Sequence, residues 1–353
     1  MPTTQPVGYT ADILAQPQAL SDTLQGLSVS DELLELASLP RRQRSMRLAL
    51  TGMGGSYFVF YPLYYRLMAA GFLPVLIETS ELINEAAGLL GPKTLVIAAS
   101  QSGQSGEIVR LVEMARERGC PLLGVSNTPA SPLGQGAAAA LFTRAGEETT
   151  VSCKTYTTML AVLELLGDLL IKGKKTHRFD SFYRLPEVVE RYLHHWESHV
   201  AELAALLGGT ENLFFVGRGP SLAAAGVAGL TTKESTHFHA EGMSSAAFRH
   251  GPLEMAGPRT AVAIFAGLEP ARTLNHRLSE DICRQGARAL WIDDTASAGA
   301  LRLPLASSSD SIRALYRPIL EILPAQLMTL ALAQLRDHPA GQFIRATKVT
   351  ASE

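Results

Sequence analysis

The sequence predicts an α/β protein of two related domains, each a parallel sheet with helices on both faces, and three observations support this prediction. The chain has 353 residues, more than a single hydrophobic core usually organises. Short apolar runs alternate with longer amphipathic segments, which is the pattern of strands joined by helical crossovers. A turn of the form Gly-x-Gly-x-Ser follows an apolar run twice, beginning at Gly52 and at Gly217. This repeat indicates two tandem domains with the same plan.

The apolar runs themselves are predicted to be strands. They are continuous rather than alternating, which is typical of a sheet that is covered on both faces. The predicted strands are Leu48–Thr51, Pro74–Ile77, Thr94–Ala99, Pro121–Val125, Ala140–Thr143, Asn212–Val216, Ala261–Phe265 and Ala289–Ile292. Helices are predicted between and after them, one ending near Ala70 and others over Glu81–Leu90, Ser105–Arg118, Cys153–Lys172 and Pro186–Leu207.

The predicted domain limits follow these runs. We expect an N-terminal helical segment at 1–45, a first domain at 46–180, a linking helix at 181–210, a second domain at 211–335 and a C-terminal tail at 336–353. The apolar window Pro318–Leu335 closes the second domain. Because it contains Glu321 and Pro324, we interpret it as a buried helix rather than a membrane span, which needs about 20 mostly apolar residues.

Charge and cysteine content limit the class of function. Lys and Arg number 31 and Asp and Glu 33, a net charge of −2, so the chain lacks the basic excess that is typical of nucleic-acid binding. Only 18% of residues are charged, which suits wide buried sheets or a large subunit interface. Cys120, Cys153 and Cys283 are too scattered for a disulfide framework or a structural zinc site. No signal peptide is recognisable in Met1–Tyr9, so the expected location is the reducing cytoplasm, away from membranes.

The first glycine-rich turn is a candidate ligand loop. Gly54, Gly55 and Ser56 lie between a predicted strand and a predicted helix, where small residues let the backbone approach an anion. A dinucleotide-binding site is one interpretation, because Glu78 follows the next strand, but its fingerprint needs a third glycine where this chain has Tyr57. A tight turn without a ligand is the other.

The serine-rich segment after the third strand is the stronger candidate. Hydroxyl and amide groups gather there at the carboxyl end of a strand, on Ser100, Gln101, Ser102 and Ser105. Ligands bind at that edge of an open parallel sheet, and neutral donors at a helix N-terminus favour a phosphomonoester. The equivalent loop of the second half, Ala266–Glu269, lacks serines, so we expect one phosphate site per chain, in the first domain. A simple polar helix cap is the alternative.

A second polar cluster lies in residues 231–252. Glu234 is a candidate general acid or base, and His250 lies in a predicted loop where it could titrate near neutral pH. His237 and His239 could suggest a metal, but a His-x-His pair is more often structural, and we expect neither a metal nor another cofactor. Ordinary ion pairs at a polar helix end are the alternative interpretation of the whole stretch.

Taken together, these motifs resemble the sugar isomerase (SIS) domain family, and within it the isomerase half of glucosamine-6-phosphate synthase. The resemblance begins at Asp12–Leu20 and covers nearly the whole chain. Gly54–Ser56 is similar to the family's first sugar-phosphate loop, Ser100–Ser105 to its phosphate-binding loop and Val151–Thr155 to its "VASTK" segment. The resemblance implies two three-layer αβα domains with flavodoxin-like sheets. It also implies that Val151 and the residues of both loops bind the substrate.

The same resemblance implies roles for three further residues. Glu234 matches the glutamate that moves a proton between C1 and C2 of the sugar, and His250 the histidine that assists ring opening. In the family that histidine reaches in from a neighbouring subunit, so a homodimer is expected. Lys348 matches the lysine that forms a Schiff base with the open-chain ketose. Thr231 stands where the synthase has a further active-site lysine.

The expected function is therefore the deamination and isomerisation of an amino-sugar phosphate to a ketose phosphate, with glucosamine 6-phosphate as the favoured substrate. The stretch before residue 47 is too short to hold a glutaminase domain, so synthesis from glutamine is not expected. One alternative is a plain aldose–ketose isomerase or a fructosamine-phosphate deglycase of the same fold. The other is a non-catalytic sensor that binds a sugar phosphate and regulates a partner.

Overall fold

The structure is a computed structural model, which describes residues 6–43, 45–148, 150–293, 301–303, 310–345 and 347–348. The chain divides into two compact units. Unit I comprises Gln18–Glu148, Lys154–Tyr183 and Arg345–Glu353, and unit II comprises Met1–Pro17, Thr149–Cys153 and Arg184–Ile344. The N-terminal segment thus belongs to unit II and the C-terminal segment to unit I. The domain limits drawn from the sequence stay a prediction.

The helices and strands of the described residues are numbered here in chain order. The strands are β1 (Arg47–Gly52), β2 (Pro74–Glu78), β3 (Thr94–Ser100), β4 (Leu122–Ser126), β5 (Ala139–Phe142), β6 (Asn212–Gly217), β7 (Ala240–Ser244), β8 (Thr260–Phe265), β9 (Arg288–Ile292) and β10 (Leu301–Leu303). The helices are α1 (Gly8–Leu14), α2 (Gln16–Gly26), α3 (Asp31–Arg42), α4 (Gly55–Phe58), α5 (Phe60–Ala69), α6 (Thr79–Asn84), α7 (Gly106–Glu117), α8 (Pro132–Gly136), α9 (Lys154–Lys172), α10 (His177–Asp180), α11 (Leu185–Leu193), α12 (Trp196–Leu207), α13 (Leu222–Thr236), α14 (Ser245–Arg249), α15 (Ala271–Arg284) and α16 (Asp310–Leu335).

Unit I is built around a parallel sheet in the order β2-β1-β3-β4-β5. Helices α6 and α7 cover one face, where Leu82, Ile108 and Leu111 pack against Val96 and Ala98 of β3. Helices α5 and α9 cover the other face. The strand order reverses between β1 and β3, because the chain moves outward from β1 to β2 and then crosses back to β3.

Unit II repeats this plan with the order β7-β6-β8-β9-β10, again with parallel pairing throughout. Helices α14 and α15 cover one face, where Phe248, Leu278 and Ile282 pack against Phe214 and Ile264. Helix α13 lies against β6 and β7 and packs against α16. The predicted α/β class with two parallel, helix-covered sheets is therefore confirmed.

Several elements differ from the sequence prediction; for example, the helix predicted over Glu81–Leu90 is α6, which ends at Asn84 and is followed by a 3₁₀ turn at Ala87–Leu89. Strand β7 lies inside the stretch 231–252, and it was missed because its sequence Ala-Glu-Gly-Met-Ser is polar and contains glycine. Strand β10 has three residues, too few for a recognisable apolar run. The helix predicted over Pro186–Leu207 is the pair α11 and α12, separated at His194–His195. The apolar pattern runs on through both helices, so the break leaves no mark in it.

Helix α16 is the one described helix that is long and apolar enough to cross a membrane, by length and composition, over Tyr316–Leu335. Of its most apolar 18-residue window, 89% is buried inside the protein. The helix packs against α12 and α13 within unit II. Its position therefore agrees with the interpretation of Pro318–Leu335 as a buried helix.

A salt bridge ties α5 to α9 in unit I. The guanidinium group of Arg66 lies 2.7 Å from Oε2 of Glu164 and contacts the carboxylate of Asp168. The side chain of Asp168 is 3% exposed, and its other oxygen accepts hydrogen bonds from the backbone N–H and the hydroxyl of Thr176. A buried carboxylate is stable only when it is paired and hydrogen-bonded, so Arg66 holds this layer together.

A second buried network joins α16 to the carboxyl edge of the unit II sheet. The guanidinium of Arg317 lies 3.2 Å from Asp293, which follows β9, and 3.2 Å from Glu321. The hydroxyl of Ser221, after β6, donates to Glu321 at 3.1 Å. Burial raises the pKa of Glu321 to about 7, although the charge of Arg317 acts in the opposite direction.

This raised pKa predicts a pH dependence of stability. The folded pKa lies above the unfolded value near 4.5, so folding takes up a proton between the two values. The contribution of Glu321 is fully present below about pH 4.5 and is lost as the pH rises through about 7. Glutamine does not ionise, so Glu321→Gln should not show this loss. The difference in free energy of unfolding, variant minus wild type, should therefore rise by about 2 kcal/mol between pH 5 and pH 8. Urea unfolding at both pH values measures this change, and a constant difference would contradict the prediction.

Candidate functional site

The two predicted ligand loops lie side by side at the carboxyl edge of the unit I sheet. Strands β1 and β3 are parallel neighbours, with Thr51 opposite Ala98. The turn that contains Gly54, Gly55 and Ser56 leaves this edge after β1, and the segment Ser100–Ser105 leaves it after β3. This is the point where the strand order reverses, and open α/β sheets bind ligands outside such a point.

The serine-rich segment is shaped by its own side chains. Ser100 is 8% exposed, and its hydroxyl oxygen accepts a hydrogen bond from the N–H of Gly103 at 3.0 Å. The hydroxyl oxygen of Ser102 accepts a longer bond from the N–H of Gln104 at 3.4 Å. Because the hydroxyl oxygens act as acceptors in these two bonds, their protons remain available for donation to a ligand. Ser102 and Gln101 are partly exposed next to them, so the loop can offer neutral donors to an anion.

The end of β4 and the loop that follows it hold this segment in place through hydrogen bonds. The hydroxyl of Ser126 donates to the carbonyl of Gln101 at 3.3 Å, and the N–H of Asn127 donates to the same carbonyl at 3.2 Å. The N–H of Leu133 donates to the carbonyl of Gly103 at 3.1 Å. Sequence reasoning missed Ser126 and Asn127. The signal was a polar run, Ser-Asn-Thr-Pro, directly after an apolar strand.

The N-terminus of α7 opens onto the same loop. Ser105 occupies the N-cap position with extended backbone angles, yet its side chain makes no capping hydrogen bond. The first N–H groups of a helix lack partners inside the helix and carry partial positive charge. By contrast, the N-terminus of α9 is occupied by a carboxylate of the chain, since Glu148 accepts hydrogen bonds from the N–H groups of Lys154 and Thr155 at 2.6 and 3.2 Å. The N-cap side chain of α7 makes no such bond, although Glu107 places a buried carboxylate in the first turn of this helix.

Gly103 is predicted to be essential to the loop. Its φ is +65°, and a Cβ at this position would lie 2.1 Å from Oγ of Ser131. We expect Gly103→Ala to lower the free energy of unfolding by about 2 kcal/mol, because it adds both backbone strain and a clash. We also expect the variant to bind inorganic phosphate at least tenfold more weakly, as measured by calorimetric titration.

Gly88→Ala is the matched control for this prediction. Gly88 lies in the 3₁₀ turn Ala87–Leu89, and a Cβ there meets nothing within 4 Å. The control variant should retain both stability and phosphate binding. Wild-type phosphate affinity in Gly103→Ala would show that the loop geometry does not govern binding.

In unit II, Glu234 lies near the C-terminal end of α13 and is partly exposed. Thr231, one turn earlier, is buried, and its hydroxyl donates to the carbonyl of Val227 at 2.9 Å. The helix is seated directly on β7. A Cβ on Gly229 would lie 2.3 Å from the N of Gly242, so only glycine permits the two backbones to come this close. Because Gly229 and Glu234 lie on the same helix, this contact fixes the distance between the sheet and the helix that carries Glu234.

His250 is exposed at the C-terminal end of α14, and its N–H donates to the carbonyl of Ala247 at 2.9 Å. The preceding Arg249 pairs with Asp281 of α15 at 2.5 Å, which ties the short helix to its neighbour. The next residue, Gly251, has a φ of +134°. The loop with His250 is thus anchored on its N-terminal side.

The two other histidines of this stretch face different partners. The ring of His237 packs on the ring of His338, with centroids 4.4 Å apart, whereas Nε2 of His239 lies 3.6 Å from Oε1 of Glu241. Among the described residues, no group of three His, Cys, Asp or Glu side chains is suited to a metal ion.

The remaining predicted site residues lie as follows. Val151 is fully buried and belongs to unit II, as do Glu234 and His250. Lys348 is partly buried in a bend of the C-terminal segment that belongs to unit I, as do both glycine- and serine-rich loops. The structure brings the two loops together at one sheet edge. The roles assigned to all of these residues stay predictions.

The fold and the site define a class: a protein of two doubly wound α/β units, one of which has a neutral, donor-rich ligand edge. Residues 42–168 match the SIS domain. This part of the chain is therefore a SIS domain, as the motifs predicted.

Relatives extend the match over nearly the whole chain. It is 31% identical over 341 residues to glutamine–fructose-6-phosphate aminotransferase (isomerizing) of Pyrococcus horikoshii, a match that covers 93% of this chain and 54% of that protein. The chain thus spans about half the length of the curated relatives that it matches.

Two solved structures share the fold. One is the C-terminal domain of glucosamine-fructose-6-phosphate aminotransferase from Francisella tularensis, with a TM-score of 0.81 and 19% identity, covering 97% of this chain and 100% of that one. The other is a glucosamine-6-phosphate deaminase from Thermotoga maritima, with a TM-score of 0.76 and 17% identity, covering 98% of this chain and 100% of that one. At these identities the similarity concerns the fold.

Proposed function

We propose that the protein converts an amino-sugar phosphate, in the first instance glucosamine 6-phosphate, to a ketose phosphate and ammonia. The observation that carries the proposal is the pair of neutral donor loops at the strand reversal of unit I, which suits a phosphomonoester. The name of the Pyrococcus horikoshii relative supports the sugar class, because that name describes amination of fructose 6-phosphate. Loss of ammonia is the reverse change at the sugar carbon, and it needs no amide donor.

The proposed reaction divides between two residues of unit II. His250 opens the sugar ring by giving a proton to the ring oxygen, which yields the open-chain aldehyde. Glu234 then removes the proton from C2 and returns it to C1, so that the amine-bearing C2 becomes an imine. Ammonia is then lost from this imine by exchange with a lysine, and water converts the resulting imine to the ketone. One water is consumed, and one fructose 6-phosphate and one ammonia are formed.

Lys348 is proposed to act on the imine. Its amine replaces ammonia at C2, so that the C2–nitrogen bond to ammonia breaks as the bond to Nζ forms. Hydrolysis of this second imine releases the ketose and restores the free lysine. An imine exchange of this kind lets ammonia leave before the sugar does.

The test is a direct assay of the purified chain. With glucosamine 6-phosphate as substrate, we expect ammonia and fructose 6-phosphate to form in a one-to-one ratio. Glucose 6-phosphate, which has a hydroxyl in place of the amine, is the matched control and should release no ammonia. Absence of turnover over a range of pH, with substrate binding intact, would contradict the proposal and favour the sensor.

A plain aldose–ketose isomerase or a fructosamine-phosphate deglycase is the second candidate. It is favoured by Thr231, whose hydroxyl is used within its own helix and which supplies no amine. Isomerisation of glucose 6-phosphate to fructose 6-phosphate would support the isomerase. Release of a free amine from a fructosamine 6-phosphate, but not from glucosamine 6-phosphate, would support the deglycase.

We further propose a homodimer in which His250 serves the site of the neighbouring chain. The exposed position of His250, on a loop anchored through Arg249, is compatible with this arrangement. Sedimentation at micromolar concentration should give twice the mass of one chain. In the part of the chain that the structure describes, no disulfide joins Cys120, Cys153 or Cys283, so we also propose a reducing, cytoplasmic location.

A further inference from the structure

The carboxyl edge of the unit II sheet offers different groups from that of unit I. Its strand order also reverses, between β6 and β8, so the loops after these strands occupy the corresponding ligand-binding place. Ser221 is the counterpart of Ser56 in the repeated turn, but it is 1% exposed and donates its hydroxyl to Glu321. A ligand at this edge must therefore be recognised by other residues.

Arg218 is the residue that directly follows β6, and one side of its guanidinium is fixed. Its Nε donates to Oδ1 of Asn275 at 3.2 Å. Asn275 is fully buried, and its Nδ2 donates to the carbonyls of Phe265 and Ala266 at the end of β8, at 2.9 and 3.1 Å. Because these two bonds require the amide nitrogen of Asn275 to face the carbonyls, its amide oxygen faces Arg218. The guanidinium is thereby oriented, while its two terminal amino groups have no partner among the described residues.

Arg218 also differs in charge from the other arginines nearby. Arg249 pairs with Asp281 at 2.5 Å, Arg272 with Asp293 at 2.9 Å, and Arg317 with Asp293 and Glu321. Within the described part of the chain, Arg218 has a neutral amide as its partner and no carboxylate. Desolvation and the positive charge of Arg249 both lower the pKa of Arg218. Among the described residues of this edge, Arg218 is therefore an arginine without a carboxylate partner, and its guanidinium is already oriented by Asn275.

We propose that Arg218 forms a second oxyanion site at the carboxyl edge of the unit II sheet, which binds the phosphate dianion of a small metabolite. The two terminal amino groups of a guanidinium form a planar fork that matches two phosphate oxygens. The positive charge of Arg249, which Asp281 offsets in part, also acts on this place and favours a dianion over a singly charged carboxylate. The site is additional to the single phosphate site that the sequence predicts in the serine-rich loop of unit I.

The experiment is a count of phosphate sites on the full chain by equilibrium dialysis with inorganic phosphate. Wild type should bind two phosphates per chain. Ser102→Ala/Ser105→Ala should remove the unit I site and leave one. Arg218→Gln should remove the other, and Arg218→Lys, which keeps the charge but loses the fork, should weaken that site about tenfold. Acetate should compete at the Arg218 site only at much higher concentration than phosphate.

Arg259→Gln is the matched control, because Arg259 precedes β8 at the opposite edge of the same sheet and is 71% exposed. It should still bind two phosphates. One phosphate per wild-type chain that Arg218→Gln leaves unchanged would overturn the proposal, as would loss of both sites in Ser102→Ala/Ser105→Ala. Should Arg218→Gln fail to fold, the affinity of Arg218→Lys decides. These counts do not depend on turnover, so they stand apart from the proposed deaminase activity.

Discussion

Glu234→Gln is expected to reduce the turnover of glucosamine 6-phosphate by about a thousandfold. Glutamine has the shape of glutamate but cannot accept the C2 proton, so the transfer between C2 and C1 loses its base. The binding of substrate should change by less than threefold. Steady-state assays of ammonia release give kcat and KM, and the loss should fall on kcat.

Borohydride reduction in the presence of fructose 6-phosphate provides a second measurement on the same variant. Imine formation between Lys348 and the ketose does not use the C2 base, so the adduct should still form in Glu234→Gln. Mass spectrometry of the digested protein locates it. Glu211→Gln is the matched control, because Glu211 is exposed beside the start of β6, and it should keep full turnover. Undiminished kcat in Glu234→Gln would remove this residue from the mechanism.

Arg66→Met is expected to lower the free energy of unfolding by about 3 kcal/mol. The substitution keeps much of the side-chain bulk but leaves Asp168, with 3% of its side chain exposed, without its cationic partner. The hydrogen bonds from Thr176 stay and offset only part of the cost. Urea unfolding at neutral pH measures the change.

Arg259→Met tests whether burial is the cause. Arg259 pairs with Glu211, but the two side chains are 71% and 53% exposed, so water solvates either charge when the other is removed. We expect a loss below about 1 kcal/mol. Similar losses in the two variants would mean that the Arg66 network owes its strength to something other than desolvation.

Much of the fold was predictable because its strands are buried on both faces. Runs such as Thr94–Ala99 carry an uninterrupted apolar signal, and β3 is buried along its whole length. Strand β7 was not predictable in this way. Among the described strands it pairs with β6 alone, and Gly242 is needed there for the close approach of α13 rather than for an apolar surface. The glycine in its sequence reflects a close contact between two backbones, and such a contact produces no apolar periodicity.

The candidate site was predictable to a similar degree. The two loops of unit I could be placed at one edge because glycine and serine follow apolar strands directly. Ser126 and Asn127 could not be assigned to the support of the serine-rich loop, since their bonds go to backbone carbonyls far away in sequence. Arg218 likewise could not be assigned a role from the sequence. Its orientation depends on Asn275, which is 57 residues away.

The serine of the repeated turn has a different environment in each unit. Two domains with the same plan can therefore use equivalent residues differently. In unit II, Ser221 is bonded to Glu321 and is buried, so its hydroxyl is used inside the protein. In unit I, Ser56 remains partly exposed at the surface. One copy of the turn thus contributes a hydrogen bond to the interior of its unit, whereas the other remains accessible to ligands from solution. Transplanting the loop of one unit into the other should therefore fail unless the helix that carries Glu321 moves with it.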